Sequence, residues 1–174
     1  MRINLHLSDY QKEVLVGTVL GDGCLLPNVW GKNYRLQIFH SHAQKKFVWW
    51  KYYVFRNFIL SSPKYNCKLN AWRFRTISHP EFTEYYHIFY KKRKKILPLN
   101  ILSGLSPLSL AVWFMDDGGR MLDKNYTRGY ILNIQNFTPQ EAKIIQKYFT
   151  HQLNISASIQ LNHGYYRLFI RRAG

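Results

Sequence analysis

Two acidic positions carry the chemistry that can be read from this chain. Leu15-Val16-Gly17-Thr18-Val19-Leu20-Gly21-Asp22-Gly23 and Leu110-Ala111-Val112-Trp113-Phe114-Met115-Asp116-Asp117-Gly118 align without a gap, so Asp22 and Asp117 fall in one register, each followed by glycine. In both copies an apolar run ends at the acid, which puts the carboxylate at the C-terminal end of a helix, where the macrodipole is already negative. A bound cation removes that conflict. If the two helices pack side by side, the carboxylates and their flanking carbonyls form an oxygen-rich setting suited to Mg²⁺ and unsuited to zinc. A single Asp-Gly is a common helix stop, and the weight comes from its repetition in register. Gly17 and Gly21, four apart, would let the first helix approach a neighbour closely, whereas Val112 and Asp116 make the matching seam asymmetric.

The charge balance says what such a site would act on. Of 174 residues, 25 are Lys or Arg and 9 are Asp or Glu, a formal +16 that calls for a polyanionic partner. With 47% apolar and 17% aromatic residues the chain is no disordered basic tail, and its length suits one compact domain or two small packed ones. A membrane is excluded as the partner. The long uncharged stretch, residues 96 to 115, contains Pro98, Asn100, Gly104 and Pro107 and cannot form one spanning helix. Residues 1 to 11 lack a charged-then-apolar leader with a small-residue cleavage site, so the chain reads as soluble and intracellular. Phosphodiester cleavage fits, because metals must stabilise attacking and leaving oxygens on a repelling backbone. Asp9, Glu13, Glu81, Glu84, Asp123 and Glu141 fall at helix starts, on helix faces or in a loop, and read as solvated or capping groups. Cys24 and Cys67 fit neither a disulfide framework nor a metal pattern and read as small buried hydrophobes.

The elements that must position the two acids repeat as well. Ser8 and Gln11 form a capping box ahead of the first apolar run, and Ser106-Pro107 caps the second. Tyr34 to His40 alternates as a strand, with Leu36 and Ile38 opposite Arg35, Gln37 and Phe39; Tyr130 to Asn136 does the same, with Leu132 and Ile134 opposite Asn133 and Gln135. One helix is predicted over 43 to 60, and another runs from the Thr138-Pro139-Gln140-Glu141 cap to about Leu153. A hairpin over 65 to 78 and a helix from Pro80 to Tyr90 lead into the basic run 91 to 95; two strands, 157 to 161 and 165 to 171, close the chain. Trp49, Trp50, Tyr52 and Tyr53 read as core and sheet-covering residues. A two-fold internal repeat is the simplest description.

On these residues the sequence resembles the LAGLIDADG homing endonucleases of the single-chain, two-motif type. The second copy, Leu110 through Gly118-Gly119-Arg120, is a specific match and the first a good but shorter one; Leu60 to Pro63, Lys94 to Pro98 and Leu132 to Thr138 add further echoes. The resemblance implies an α+β fold: two αββαββα-type halves related by a pseudo-two-fold, motif helices at the seam and curved antiparallel sheets forming a DNA-binding saddle. The halves would span 1–98 and 106–174 with a linker at 99–105, the second half lacking a final helix. Implied too are Mg²⁺-dependent cutting of both strands at a long site, with Mn²⁺ as another usable cation, and 3′ overhangs. Asp22 and Asp117 take the positions of the metal-binding acids, with the carbonyls of Gly21 and Asp116 as added ligands. Lys95 falls at or beside a family lysine that organises water at the scissile phosphate, a position with no clear basic counterpart in the second half. An organelle is the implied compartment.

A saddle strand turns one face to the DNA major groove. The alternation assigns Arg35, Gln37, Arg73, Arg75, Asn133, Gln135, Gln160, Arg167 and Arg171 to it, while Lys45, Lys46 and the 91 to 95 run suit phosphate attraction. Two motifs in one chain imply a monomer acting on double-stranded DNA. Two alternatives stay open, an intron RNA maturase and a non-catalytic DNA-binding regulator on the same fold. Loss of a motif acid would favour either, and both acids are kept.

Overall fold

The computed structural model describes residues 5–29, 31–124 and 126–172; the ends of the leader window and of the chain, 1–4 and 173–174, lie outside them. The contacts divide the chain into two compact units, 1–88 and 89–174, a boundary ahead of the linker expected at 99–105.

The first unit runs α1 (Asp9–Leu20), β1 (Cys24–Pro27), β2 (Tyr34–Ser41), α2 (Lys45–Val54), β3 (Lys64–Asn66), β4 (Ala71–Arg75) and α3 (Pro80–Phe89). Its sheet is antiparallel in the order β1-β2-β4-β3. The capping box predicted at Ser8 is formed, Ser8 Oγ accepting the Gln11 N–H at 3.2 Å while Gln11 Oε1 accepts the Ser8 N–H at 3.0 Å. Gln11 also donates to Val54 O at 2.6 Å and Asn57 Oδ1 at 2.8 Å. That diverted carbonyl explains why the helix predicted over 43 to 60 is broken: α2 ends at Val54 and a separate 3-10 turn covers Arg56–Phe58. Leu36, Ile38 and His40 of β2 and Phe74 of β4 turn inward, all buried. Of the aromatic helix residues, Tyr52 is buried, but Tyr53 is 66% exposed and leans on Trp49 and Tyr52. Cys67 is exposed and Cys24 half-buried, neither in a disulfide, so Cys67 is not the buried hydrophobe expected.

The second unit opens with residues read as a charge run. They fold as a hairpin, β5 (Tyr90–Lys91) and β6 (Lys94–Lys95), with Lys92 and Arg93 at φ 49° and 66° in the turn. After α4 (Leu99–Ser103), inside the expected linker, come α5 (Pro107–Asp117), β7 (Gly118–Asp123), β8 (Tyr126–Asn133), α6 (Pro139–Lys147), β9 (Ala157–Asn162) and β10 (Tyr165–Arg171). The sheet order β7-β8-β10-β9 repeats that of the first unit. Thr138 and Glu141 form the predicted capping box. Glu141 also accepts the Leu97 N–H at 2.8 Å; burial alone would raise this carboxyl, but the bonds from Leu97 and Thr138 outweigh it and hold it below the usual range. Beyond Lys147 the helix loosens into a π-turn over Tyr148–Gln152, where Thr150 Oγ1 donates to the Gln146 and Lys147 carbonyls. Among the described residues no helix is long and apolar enough to cross a membrane.

Candidate active site and nucleic-acid face

In the first unit α1 delivers Asp22 to the surface. The Gly21 N–H closes the helix on Gly17 O at 3.1 Å, and the Gly23 N–H returns to Thr18 O at 2.8 Å. Any side chain at Gly23 would collide with the Thr18 methyl and stand 2.7 Å from the Thr18 carbonyl oxygen, so glycine is required here by close approach. The two glycines are buried while the Asp22 side chain between them is 48% exposed.

Behind Asp22 stands a buried pair that sequence reading missed. His40 Nδ1 is 3.6 Å from Asp22 Oδ2, and His40 Nε2 is 3.4 Å from Lys51 Nζ, which also lies 4.3 Å over the Phe47 ring. His40 is 3% exposed and Lys51 fully buried. Burial first, then the Lys51 cation, depress the imidazole to about 4 against an opposing hydrogen bond to the Gln44 side chain, so the ring is neutral near pH 7. The one signal in the sequence was a histidine on the apolar face of a strand.

In the second unit α5 ends at Asp117, and the Gly118 N–H bonds Phe114 O. A Cβ at Gly118 would strike that carbonyl oxygen and crowd the Phe114 ring, the same constraint met by a different residue. Asp116 is buried and Asp117 half-buried. The amide of Asn133 donates to the Asp117 carbonyl at 3.0 Å, so this expected base reader braces the motif end.

The donor set fits a hard divalent cation. Helix C-termini present backbone carbonyl oxygens, and here an adjacent carboxylate supplies the negative charge. Taken by itself, each motif end offers oxygen donors of that class: the Asp22 carboxylate beside the Gly21 carbonyl in the first unit, and the Asp117 carboxylate beside the Asp116 carbonyl in the second.

Cross-strand register shows which side chains share the outer sheet faces. In the first unit Gln37 pairs with Arg75, Phe39 with Arg73 and Arg73 with Lys64, which places Lys64, absent from the sequence assignment, among the expected readers; Arg35 lies on the same face opposite Leu26. Gln37, Lys64, Arg73 and Arg75 line a hollow of about 190 Å³ with Ser61 and Ser62. The Arg35 Nε is buried with no hydrogen-bond partner. In the second unit Asn133 pairs with Arg167 and Arg167 with Gln160, whose Oε1 accepts the Arg167 Nε–H at 3.2 Å. Arg171 and Gln160 line a hollow of about 270 Å³ with Arg128, a cation the alternation did not place on this face. Gln135 is a correction: β8 stops at Asn133, and Gln135 lies in the following turn, exposed, because Phe137 N–H folds back to Ile134 O to bring Thr138 to its cap. Lys95 is half-exposed on β6 opposite Tyr90.

Residues 12–174 match the pattern of the LAGLIDADG DNA endonuclease family. The chain belongs to that family. Among similar proteins, a probable intron-encoded endonuclease 1 of Wickerhamomyces canadensis is 30% identical over 166 residues, 90% of this chain and 71% of that protein. A cytochrome b mRNA maturase bI2 of Debaryomyces hansenii is 27% identical over 169 residues, and the match spans 63% of its length. Among solved structures, the homing endonuclease I-WcaI bound to its DNA recognition sequence superposes with a TM-score of 0.85 at 28% identity, covering 96% of this chain and 77% of that one. The LAGLIDADG fold accounts for the α+β architecture and for the two four-stranded antiparallel sheets, each preceded by a motif helix.

Proposed function

We propose that this LAGLIDADG chain is a monomeric, site-specific homing endonuclease that cuts both strands of a long DNA target with Mg²⁺ and leaves 3′ overhangs. The observation that carries the proposal is the repeated motif end: two capped helices, each finishing in a carboxylate and a sterically required glycine, each feeding a sheet with a basic outer face. The similarity to an intron-encoded endonuclease and to a DNA-bound homing endonuclease supports it.

The proposal pairs the halves 1–98 and 106–174, joined through 99–105, so that Asp22 and Asp117 serve one DNA duplex. Divalent cations would stabilise the attacking and leaving oxygens at the scissile phosphates. Asp22 and Asp117, with the Gly21 and Asp116 carbonyls, hold them, and Lys95 orders water beside the phosphate. Arg35, Gln37, Arg73 and Arg75 in one unit, and Gln160, Arg167 and Arg171 in the other, contact base edges, where a good bidentate pair contributes about 1–3 kcal/mol of discrimination. Asn133 acts through the Asp117 carbonyl. The exposed cations of the 91 to 95 hairpin supply phosphate attraction and salt dependence.

The maturase relative supports a second reading, in which the chain also binds intron RNA; it and the intron-encoded endonuclease are what support an organellar setting. The test is incubation with a randomised duplex library in Mg²⁺ and, separately, in Ca²⁺. A discrete sequence cut on both strands with Mg²⁺ alone is expected. DNA bound but never cut would overturn the nuclease reading in favour of the maturase or regulator.

A further inference from the structure

The first unit carries a row of rings on the side of its sheet away from the basic outer face. Trp72 alternates with Arg73 and Arg75 on β4 and pairs with His40 and Tyr65 across the sheet, so it lies on the face opposite those arginines. Its ring centroid is 5.3 Å from that of Tyr65 and 6.3 Å from those of His42 and Trp49, and Trp49 is 6.0 Å from Tyr53. A core would hide such a row, yet Tyr53 is 66% and Tyr65 45% exposed, with Trp49 and Trp72 half-buried. Covering the sheet does not require rings at these positions. Counted from the N-caps Gln44 and Thr138, Trp49 and Tyr53 fall level with Lys143 and Lys147 of α6, and the strand register sets Leu161 where β3 has Tyr65.

We propose that this cluster is a second nucleic-acid site, which stacks unpaired bases of RNA on Tyr53, Trp49, Trp72 and Tyr65 and holds their phosphates with neighbouring lysines. It rests on the reading of the chain as an intron-RNA binder and gives that reading a place on the molecule. The charge calls for a polyanion. No Asp or Glu occurs between Asp22 and Glu81, Lys45 Nζ stands 5.0 Å over the Trp72 ring, and Lys46 on α2 and Lys68 on the β3–β4 turn are exposed. An apolar protein surface would leave those ammonium groups desolvated without a counter-charge. The rings call for unpaired bases, because a duplex keeps its base faces stacked on one another, whereas each free base gains from an aromatic platform. The platform is set in advance: Trp72 Nε1–H donates to His42 Nδ1 at 3.2 Å, Tyr65 O–H donates to Asn70 Oδ1 at 2.8 Å, and the His42 N–H donates to Asn70 O at 2.8 Å. Rings held in this way lose little freedom on binding. The row suits about two or three nucleotides. With lysines and a leucine at three of the matching positions, the second unit lacks it.

The experiment uses the full chain and fluorescein-labelled oligo(rU) followed by anisotropy, with oligo(dU) and a hairpin RNA beside it. Oligo(rU) is expected to bind. Tyr53→Lys and Tyr65→Leu install the second unit's residues and should each weaken it about tenfold, with circular dichroism confirming that both remain folded. Tyr53→Lys also adds a cation, so a surface driven by charge alone would bind oligo(rU) more tightly in that variant, and this result would overturn the proposal. A second arm needs no variant: oligo(rU) carrying 4-thiouridine is photocrosslinked to the unaltered protein and the attachment points are mapped by mass spectrometry. Crosslinks at Trp49, Tyr53, Tyr65 or Trp72 are expected, whereas crosslinks confined to the outer face at Gln37 and Arg75, or to the second unit, would overturn the site. Oligo(dU) held more tightly than oligo(rU) would overturn its assignment to RNA. If the hairpin is bound but oligo(rU) is not, the RNA reading stands and this site fails. If the unaltered protein holds neither RNA, the RNA reading itself fails and the site falls with it.

Discussion

The two units solve one problem, a carboxylate at a helix C-terminus, with different second partners. In the first, Asp22 is backed by His40 and the buried Lys51, and its helix is closed by Gly21 and Gly23. In the second, Gly118 closes the helix on Phe114, and Asn133 holds the motif end through a backbone carbonyl. The shared features, cap, acid and crowded glycine, are those the chemistry needs twice. The differing ones are where two copies in a single chain have diverged. If each serves its own DNA strand, as proposed, the two cuts need not be kinetically equal.

The largest effect should come from the acids. Asp22→Asn and Asp117→Asn are each expected to reduce cleavage by about 10³-fold or more, since each removes several kcal/mol of transition-state stabilisation, with DNA binding kept. A gel assay resolving nicked from linear product checks this, and a variant that retained half its rate would break the equivalence of the two motifs. Next come the sheet faces. Arg167 is pre-oriented by Gln160, so Arg167→Ala should relax specificity at one base position by about 1–3 kcal/mol, measured by competition between site variants. Replacing Lys91 and Lys94 on the exposed hairpin should instead weaken all sequences alike and flatten the salt dependence.

Stability sharpens the comparison at smaller magnitudes. Gly118→Ala meets both a carbonyl and an aromatic ring and should destabilise by about 1–3 kcal/mol, more than Gly23→Ala, whose neighbours include a methyl group; thermal melts of the two decide. Thr138→Ala and Ser8→Ala should each cost about 1 kcal/mol through their caps. Only the second unit's capping box adds an acid dependence. The folded-state pKa of Glu141 is depressed, so its contribution is present above the ordinary 4.5 and is lost as pH falls below it. Glu141→Gln should flatten that part of the stability-against-pH curve, whereas Gln11, at the same place in the first box, does not titrate.

Much of this was legible because local rules and the fold agree. The caps at Ser8, Ser106 and Thr138, the alternation of Tyr34–Ser41 and the Asp-Gly repeat all speak within a few residues. β1 and β7 were invisible: Cys24–Pro27 is short and ends in proline, and Gly118–Asp123 begins with two glycines, so pairing with β2 and β8 makes them strands where propensity does not. The hairpin at 90–95 was hidden for a related reason, as its turn places Lys92 and Arg93 at positive φ, where glycine or asparagine is the usual marker. Gln135 was misplaced because alternation continues past the point where the Thr138 cap turns the chain. Lys51 was unreadable altogether. A lysine among helix aromatics signals a solvated face, whereas Lys51 is fully buried, with its ammonium near His40 and over the Phe47 ring.

The central claim, that both motif ends hold the catalytic cation, is tested most directly without relying on activity. Fe²⁺ is exchanged for Mg²⁺ in the DNA complex, ascorbate and peroxide are added, and scission of the protein backbone is mapped by mass spectrometry. Cuts are expected to cluster at residues 21–23 and 116–118, to be suppressed by excess Mg²⁺ and to weaken at the mutated end in Asp22→Asn or Asp117→Asn. Cuts at only one motif, or at neither, would contradict it.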